Sequence, residues 1–191
     1  MNFVKRKINV KTIENRVIER HPVPILGIEY RVEIIYKNIK ITELDIEKRT
    51  IKISLPNRYR KMNNKELLDL AIEKMYEQIA KVEIERAMEK TRIMLGFAPE
   101  EYEIKKMKTL GKCERNKISI NPIVVIYSRE VIDYIVLHQY CHLKYKNHSK
   151  AFFQMLEQYL PNYKKCEEIL LNLWEIKQFY KSKISLIVIL V

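Results

Sequence analysis

The sequence is poor in the residues that punctuate or staple a chain. Only three glycines and six prolines occur, which excludes collagen-like and linker-rich chains. The three cysteines, Cys113, Cys141 and Cys166, are odd in number and widely spaced. No disulfide framework is expected, and a reducing cytoplasm is the expected compartment. The opening MNFVKRKINVKTIENR is basic but lacks an apolar run of about 7–15 residues, so no secretory signal is expected. The closing ISLIVILV is far shorter than the roughly 20 apolar residues that span a bilayer, so no stable membrane insertion is expected. The run Leu186–Val191 is uncharged and β-prone. It should add a strand or cover apolar surface, since left open it invites aggregation.

Negative charge is scarce beside positive. Lys and Arg number 36 against 24 Asp and Glu, a formal net charge of +12 and a pI near 9.5. Such a surplus attracts nucleic acid, acidic membrane surfaces or acidic proteins. The lysines are spread along the whole chain, however, and no basic stripe with interleaved aromatics or zinc-finger spacing stands out. With 191 residues, 47% of them hydrophobic and 31% charged, the chain is globular and long enough for a real core.

The pattern is α+β. Residues 1–24 read as an arm or short strand. Residues 25–37, ILGIEYRVEIIYK, alternate with period two, as a half-buried strand does. Residues 50–55 alternate likewise, and Ile39, Ile41, Leu44 and Ile46 suggest a third strand, with Glu47–Arg49 as turn. An antiparallel β-meander is expected. A long helix follows over 64–95, stopped by Gly96. Its apolar stripe includes Leu67, Leu68, Met75, Ile79, Val82, Ala87 and Met88. Residues 102–126 read as strand, polar turn at Lys112–Lys117, and a second strand made irregular by Pro122. Three helices complete the chain: one capped by Ser128, one over about 150–159 capped by Ser149, and one over about 162–181.

The chemistry gathers in Val131–Phe153, VIDYIVLHQYCHLKYKNHSKAFF, which holds three of the four histidines. His138 and His142 stand at i and i+4, so both imidazoles project from one helix face and can reach one metal ion. His148 follows past the expected helix end, where the chain can turn back to supply a third ligand. Three protein ligands plus an open water position describe a catalytic zinc site. The spacing matches the ligands of H-E-x-x-H-x-x-G-x-x-H, with Tyr145 at the glycine position. A downstream carboxylate, Glu157, Glu167 or Glu168, is a weaker candidate for third ligand. Cys141 points off the shared face and should pack as a small buried thiol. Gln139 occupies the position of the general-base glutamate. An amide cannot accept the proton of a metal-bound water, so metal binding is expected to persist and hydrolysis to be impaired.

The stretch VIDYIVLHQYCHLKYKNHSKAFFQMLEQYLPNYKK resembles the YgjP-like metallopeptidase domain, typically V-I-D-Y-V-x-x-H-E-L-x-H-L-x-x-x-N-H-S-x-x-F-W. Upstream, IKKMKTLGKC is similar to that family's K-M-K-T-R-W-G-S-C segment, with Leu110-Gly111-Lys112-Cys113 one residue shorter and lacking its Arg and Trp. SINPIVVIYSREVIDY and ILGIEYRVEII also resemble family segments, and Phe153 stands where Trp is usual. The resemblance covers about residues 25–175. It implies a zincin-like fold, Zn²⁺ held by His138, His142 and His148, peptide or protein substrates, and kinship with SprT-like and WLM-type peptidases, some of which act on DNA-bound proteins. The expected organisation is a β-rich segment over 1–62, a zincin-like metallopeptidase domain over 63–181 and an apolar tail over 182–191, together one compact unit. The alternative is a non-catalytic zinc-binding or interaction module, associated with nucleic acid through its charge.

Overall fold

A computed structural model describes residues 16–61 and 64–180, with side chains over 22–61 and 66–172. The expectations for residues 1–15 and for the apolar tail over 182–191 lie outside these. The chain divides into two compact units: one drawn from Met1–Val23 and Glu29–Ala71, the other from Pro24–Ile28 and Ile72–Val191.

The first unit is built on a four-stranded sheet of order β1-β2-β4-β3, from β1 (Arg16–Ile25), β2 (Ile28–Lys37), β3 (Glu43–Glu47) and β4 (Thr50–Pro56). β3 and β4 form the expected antiparallel hairpin, turning at Lys48 and Arg49 with Lys48 in the left-handed region. β2 and β4, however, run parallel, so the sheet is mixed rather than a meander. The reason lies in the register. Parallel pairing sets Val32 beside Ile51, Ile34 beside Ile53 and Tyr36 beside Leu55, and all six are buried. β3 shifts later than expected and is exposed throughout. Its Glu43, Asp45 and Glu47 place charge on the sheet edge, which discourages pairing with other chains.

α1 (Asn64–Leu95) has the expected span and ends at Gly96, whose φ of +73° a side chain would resist. Its buried face in the second unit differs from the apolar stripe. Val82 is 66% exposed, whereas Ala80, Glu83 and Ile84 are buried. The hinge of the discrepancy is Glu83, which goes inward because arginines meet it there.

In the second unit β5 (Glu101–Ile104), β6 (Gly111–Glu114) and β7 (Lys117–Ile120) form a sheet of order β5-β7-β6. The expected polar turn at Lys112–Lys117 is mostly strand. It narrows to Arg115 and Asn116, both at positive φ, the two-residue turn whose twist suits a hairpin. The expected second strand stops early, because Pro122 has no N–H to give a ladder. Residues Pro122–Ile126 form a 3₁₀ turn instead, capped by Asn121, whose Oδ1 accepts from Ile123 N–H at 3.1 Å.

α2 (Arg129–Lys144) is the centre of this unit. Its residues Val131, Ile132 and Tyr134–Cys141 are all buried, as a helix enclosed on every side requires. β6, β7, α3 (Lys150–Tyr159) and α4 (Tyr163–Tyr180) pack around it. Ser128 has the extended backbone of an N-cap, but its side chain makes no capping bond. The turn Leu26-Gly27, which belongs to this unit, abuts the same point: a Cβ on Gly27 would come within 3.3 Å of Ser128 N and Cβ. Ser149 caps α3 as expected, accepting from Phe152 N–H. Among the described residues no helix is long and apolar enough to cross a membrane.

Candidate metal centre

α2 presents His138 and His142 one turn apart, and the chain after Lys144 turns back so that His148 meets them ahead of α3. The three offer one ligand atom each, all within 4.8 Å of one another, and could hold a metal ion. His138 Nε2 lies 3.2 Å from His142 Nε2 and 3.0 Å from His148 Nε2. Phe152, fully buried, forms the floor, its ring centroid 4.7–4.9 Å from all three imidazoles. Phe153 lies beyond it, tilted against His148 and stacked on Tyr163.

The outer nitrogens fix which face points inward. His142 Nδ1 is 3.0 Å from the Tyr145 carbonyl, which can only accept. The proton is therefore on Nδ1, and the Nε2 lone pair faces the cluster. Tyr134, one turn before His138, places its hydroxyl 3.4 Å from His138 Nδ1 and donates to Glu167 of α4 at 3.0 Å. Burial, with the two neighbouring imidazoles, pushes the His138 ring down to about 3. Burial also lowers His142. Both are thus neutral near pH 7, the form that ligates a metal.

These nitrogens fit a divalent metal. A tetrahedral ion with M–N bonds of about 2.0–2.1 Å holds its nitrogens roughly 3.3–3.4 Å apart, close to the spacing present. Where these nitrogens carry no proton their lone pairs repel at this separation, and a cation turns that repulsion into coordination.

Gln139 is 4% exposed. Its side chain lies under β6, where a Cβ on Gly111 would come within 2.9 Å of its Cγ, Cδ and Nε2. Cys141 is fully buried, with its thiol pushed up to about 12 by that burial, so it packs as expected. Of the rival carboxylates, Glu167 is engaged by Tyr134 rather than by the cluster, and Glu157 and Glu168 are exposed. The roles of Tyr134 and Gly111 are absent from the sequence reading. Tyr134 was visible as the preceding member of the stripe 134, 138, 142; Gly111 carried no local signal.

The chain is similar to two solved metallopeptidase zymogens. Abylysin of Pyrococcus abyssi is 24% identical with a TM-score of 0.43, over 47% of this chain and 92% of that one. Jannalysin of Methanocaldococcus jannaschii is 22% identical with a TM-score of 0.41, over 49% of this chain and 88% of that one. A comparison with curated proteins gave no match. The pattern of the YgjP-like metallopeptidase domain matches residues 2–172, nearly the whole chain, and the chain belongs to the YgjP-like metallopeptidase family.

Proposed function

We propose that this chain is a zinc metallopeptidase scaffold, directed at peptide or protein substrates, whose hydrolytic step is weakened by Gln139. The observation that carries the reading is the convergence of three imidazole Nε2 atoms on one point. Three imidazole nitrogens suit zinc, and catalytic zinc sites of this kind keep a fourth position for water. When bound, zinc lowers the pKa of that water and polarises a carbonyl. His138, His142 and His148 would hold it, Phe152 excludes bulk water from below, and Gln139 follows the first ligand where the H-E-x-x-H motif has its base. The Gln139 amide can accept or donate a hydrogen bond but cannot take up a proton at neutral pH. General acid–base catalysis is worth typically ~10²–10⁴-fold, so metal is kept and most of the rate is lost.

The test is Gln139→Glu, assayed with a matched zinc content on an unstructured protein substrate. A gain of about 10²-fold or more is expected. An unchanged rate at full zinc loading would favour the non-catalytic zinc-binding module instead.

A further inference from the structure

We propose that Glu167 and Tyr134 form a hydrogen-bonded relay that orients His138 and strengthens its hold on the metal, making α4 part of the metal centre. The inference rests on the zinc reading above.

Tyr134 Oη stands between two partners, 3.0 Å from Glu167 Oε1 and 3.4 Å from His138 Nδ1. A carboxylate oxygen only accepts, so the hydroxyl proton goes to Glu167. The oxygen is then left with lone pairs, and His138 Nδ1–H donates to it. This order of donors has one consequence at the far side of the ring: the His138 Nε2 lone pair is bare and faces His142 and His148. Negative charge on Glu167 is passed through the hydroxyl to the imidazole. It makes Nε2 a stronger donor, as a carboxylate bonded directly to a ligand histidine does.

The surroundings hold the relay in this sense. Tyr134 is 1% exposed. In that enclosed setting its hydroxyl has Glu167 Oε1 as its acceptor. His142 is supported differently, by the neutral carbonyl of Tyr145. Of these two ligands, His138 alone is backed by a charged group. Glu167 is half-buried on α4, so the relay also ties the packing of α4 on α2 to the state of the metal site.

The experiment compares the whole 191-residue chain with Tyr134→Phe, Glu167→Gln and the double variant. Zn²⁺ affinity is read by competition with a coloured chelator, and the ligand field by the visible absorption of the Co²⁺ form. Each single variant should weaken Zn²⁺ about 10–100-fold and shift the Co²⁺ bands. The double variant should lose no more than Tyr134→Phe, because without the hydroxyl the charge has no path to His138. Wild-type affinity in both single variants overturns the relay, as do losses that simply multiply in the double variant. Glu167→Gln keeps an acceptor oxygen at a half-buried position, so it tests the charge even where Tyr134→Phe fails to fold. A wild-type chain that takes up no Zn²⁺ overturns the zinc reading and the relay with it; a wild-type chain that binds while the variants bind equally well overturns the relay alone.

Discussion

The side chain of Gln139 fills the space that a methyl group on Gly111 would need. A Cβ built there meets Gln139 Cγ, Cδ and Nε2 at 2.9 Å each, closer than real contacts allow. β6 thus crosses the residue that follows the first histidine with no room to spare, and a side chain at 111 would force Gln139 or β6 to shift. Gly111→Ala should push the side chain at 139 aside or lift β6. The effect is best read in the background of Gln139→Glu, where position matters most: a misplaced base should lose about 10-fold or more of the restored rate with zinc affinity unchanged. A Gly111→Ala, Gln139→Glu chain as active as Gln139→Glu alone would show that β6 does not set the geometry of the base.

Metal should stabilise the chain through all three histidines together. A ligand that binds only the folded state adds about 4 kcal/mol at a thousandfold excess over its Kd. In a chain of this size that corresponds to a rise in melting temperature on the order of 10 °C. Zinc should produce the rise and a chelator should reverse it. His148→Ala should abolish most of the shift although His148 precedes α3 rather than lying on α2, because the site needs its third nitrogen. A full shift in His148→Ala would remove it from the ligand set and reopen the place to a carboxylate.

How much of this was legible depended on how local each cause was. The spacing of His138 and His142 is a property of one helix face, and the return of His148 needs only a turn after Lys144, so the cluster could be read from the sequence. Gly96, Ser149 and the span of α1 were legible for the same reason. Glu83 was not: it is buried because Arg129, 46 residues later, closes on it, and no periodic pattern contains that partner. Nor was the parallel pairing of β2 with β4. Alternation announces a strand and its inward face, but the match of Val32, Ile34 and Tyr36 to Ile51, Ile53 and Leu55 appears only once the two are aligned side by side. Lys112–Glu114 looked like turn because it is polar; it is an edge strand, where polarity is permitted on the open side.

The cysteines should separate cleanly in a labelling experiment. All three thiols are free. Cys141 and Cys166 are buried, with their thiols raised to about 12 and about 11 by burial. Cys113 on β6 is partly exposed, and although burial raises it too, Lys146 acts in the opposite sense. A thiol reagent at pH 8 should therefore modify Cys113 first, and the other two only at the rate of unfolding. Equal labelling of Cys141 under native conditions would mean that α2 opens far more readily than its packing suggests.

Glu83 predicts how the second unit responds to acid. Its Oε1 and Oε2 take both Arg129 Nη2 at 2.6 Å and Nε at 2.9 Å, and Arg86 Nε lies at 3.0 Å. Arg86 and Lys90 both continue to Asp133 of α2. Hydrogen bonding from Arg129, opposed by burial and aided by Arg86, holds the Glu83 carboxyl below its ordinary value. A carboxyl whose pKa is lower folded than unfolded stabilises the fold above the unfolded value, about 4.3, and loses that contribution as the pH falls through the folded value. Glu83→Gln should therefore cost about 1–3 kcal/mol near pH 7. The lower part of that range is expected, since Arg129 is largely exposed and water replaces much of what it loses. The gap between wild type and variant, followed by urea unfolding, should close as the pH is taken below about 4. A gap that stays constant from pH 7 down to pH 3 would assign the cost to packing of the side chain and not to its charge.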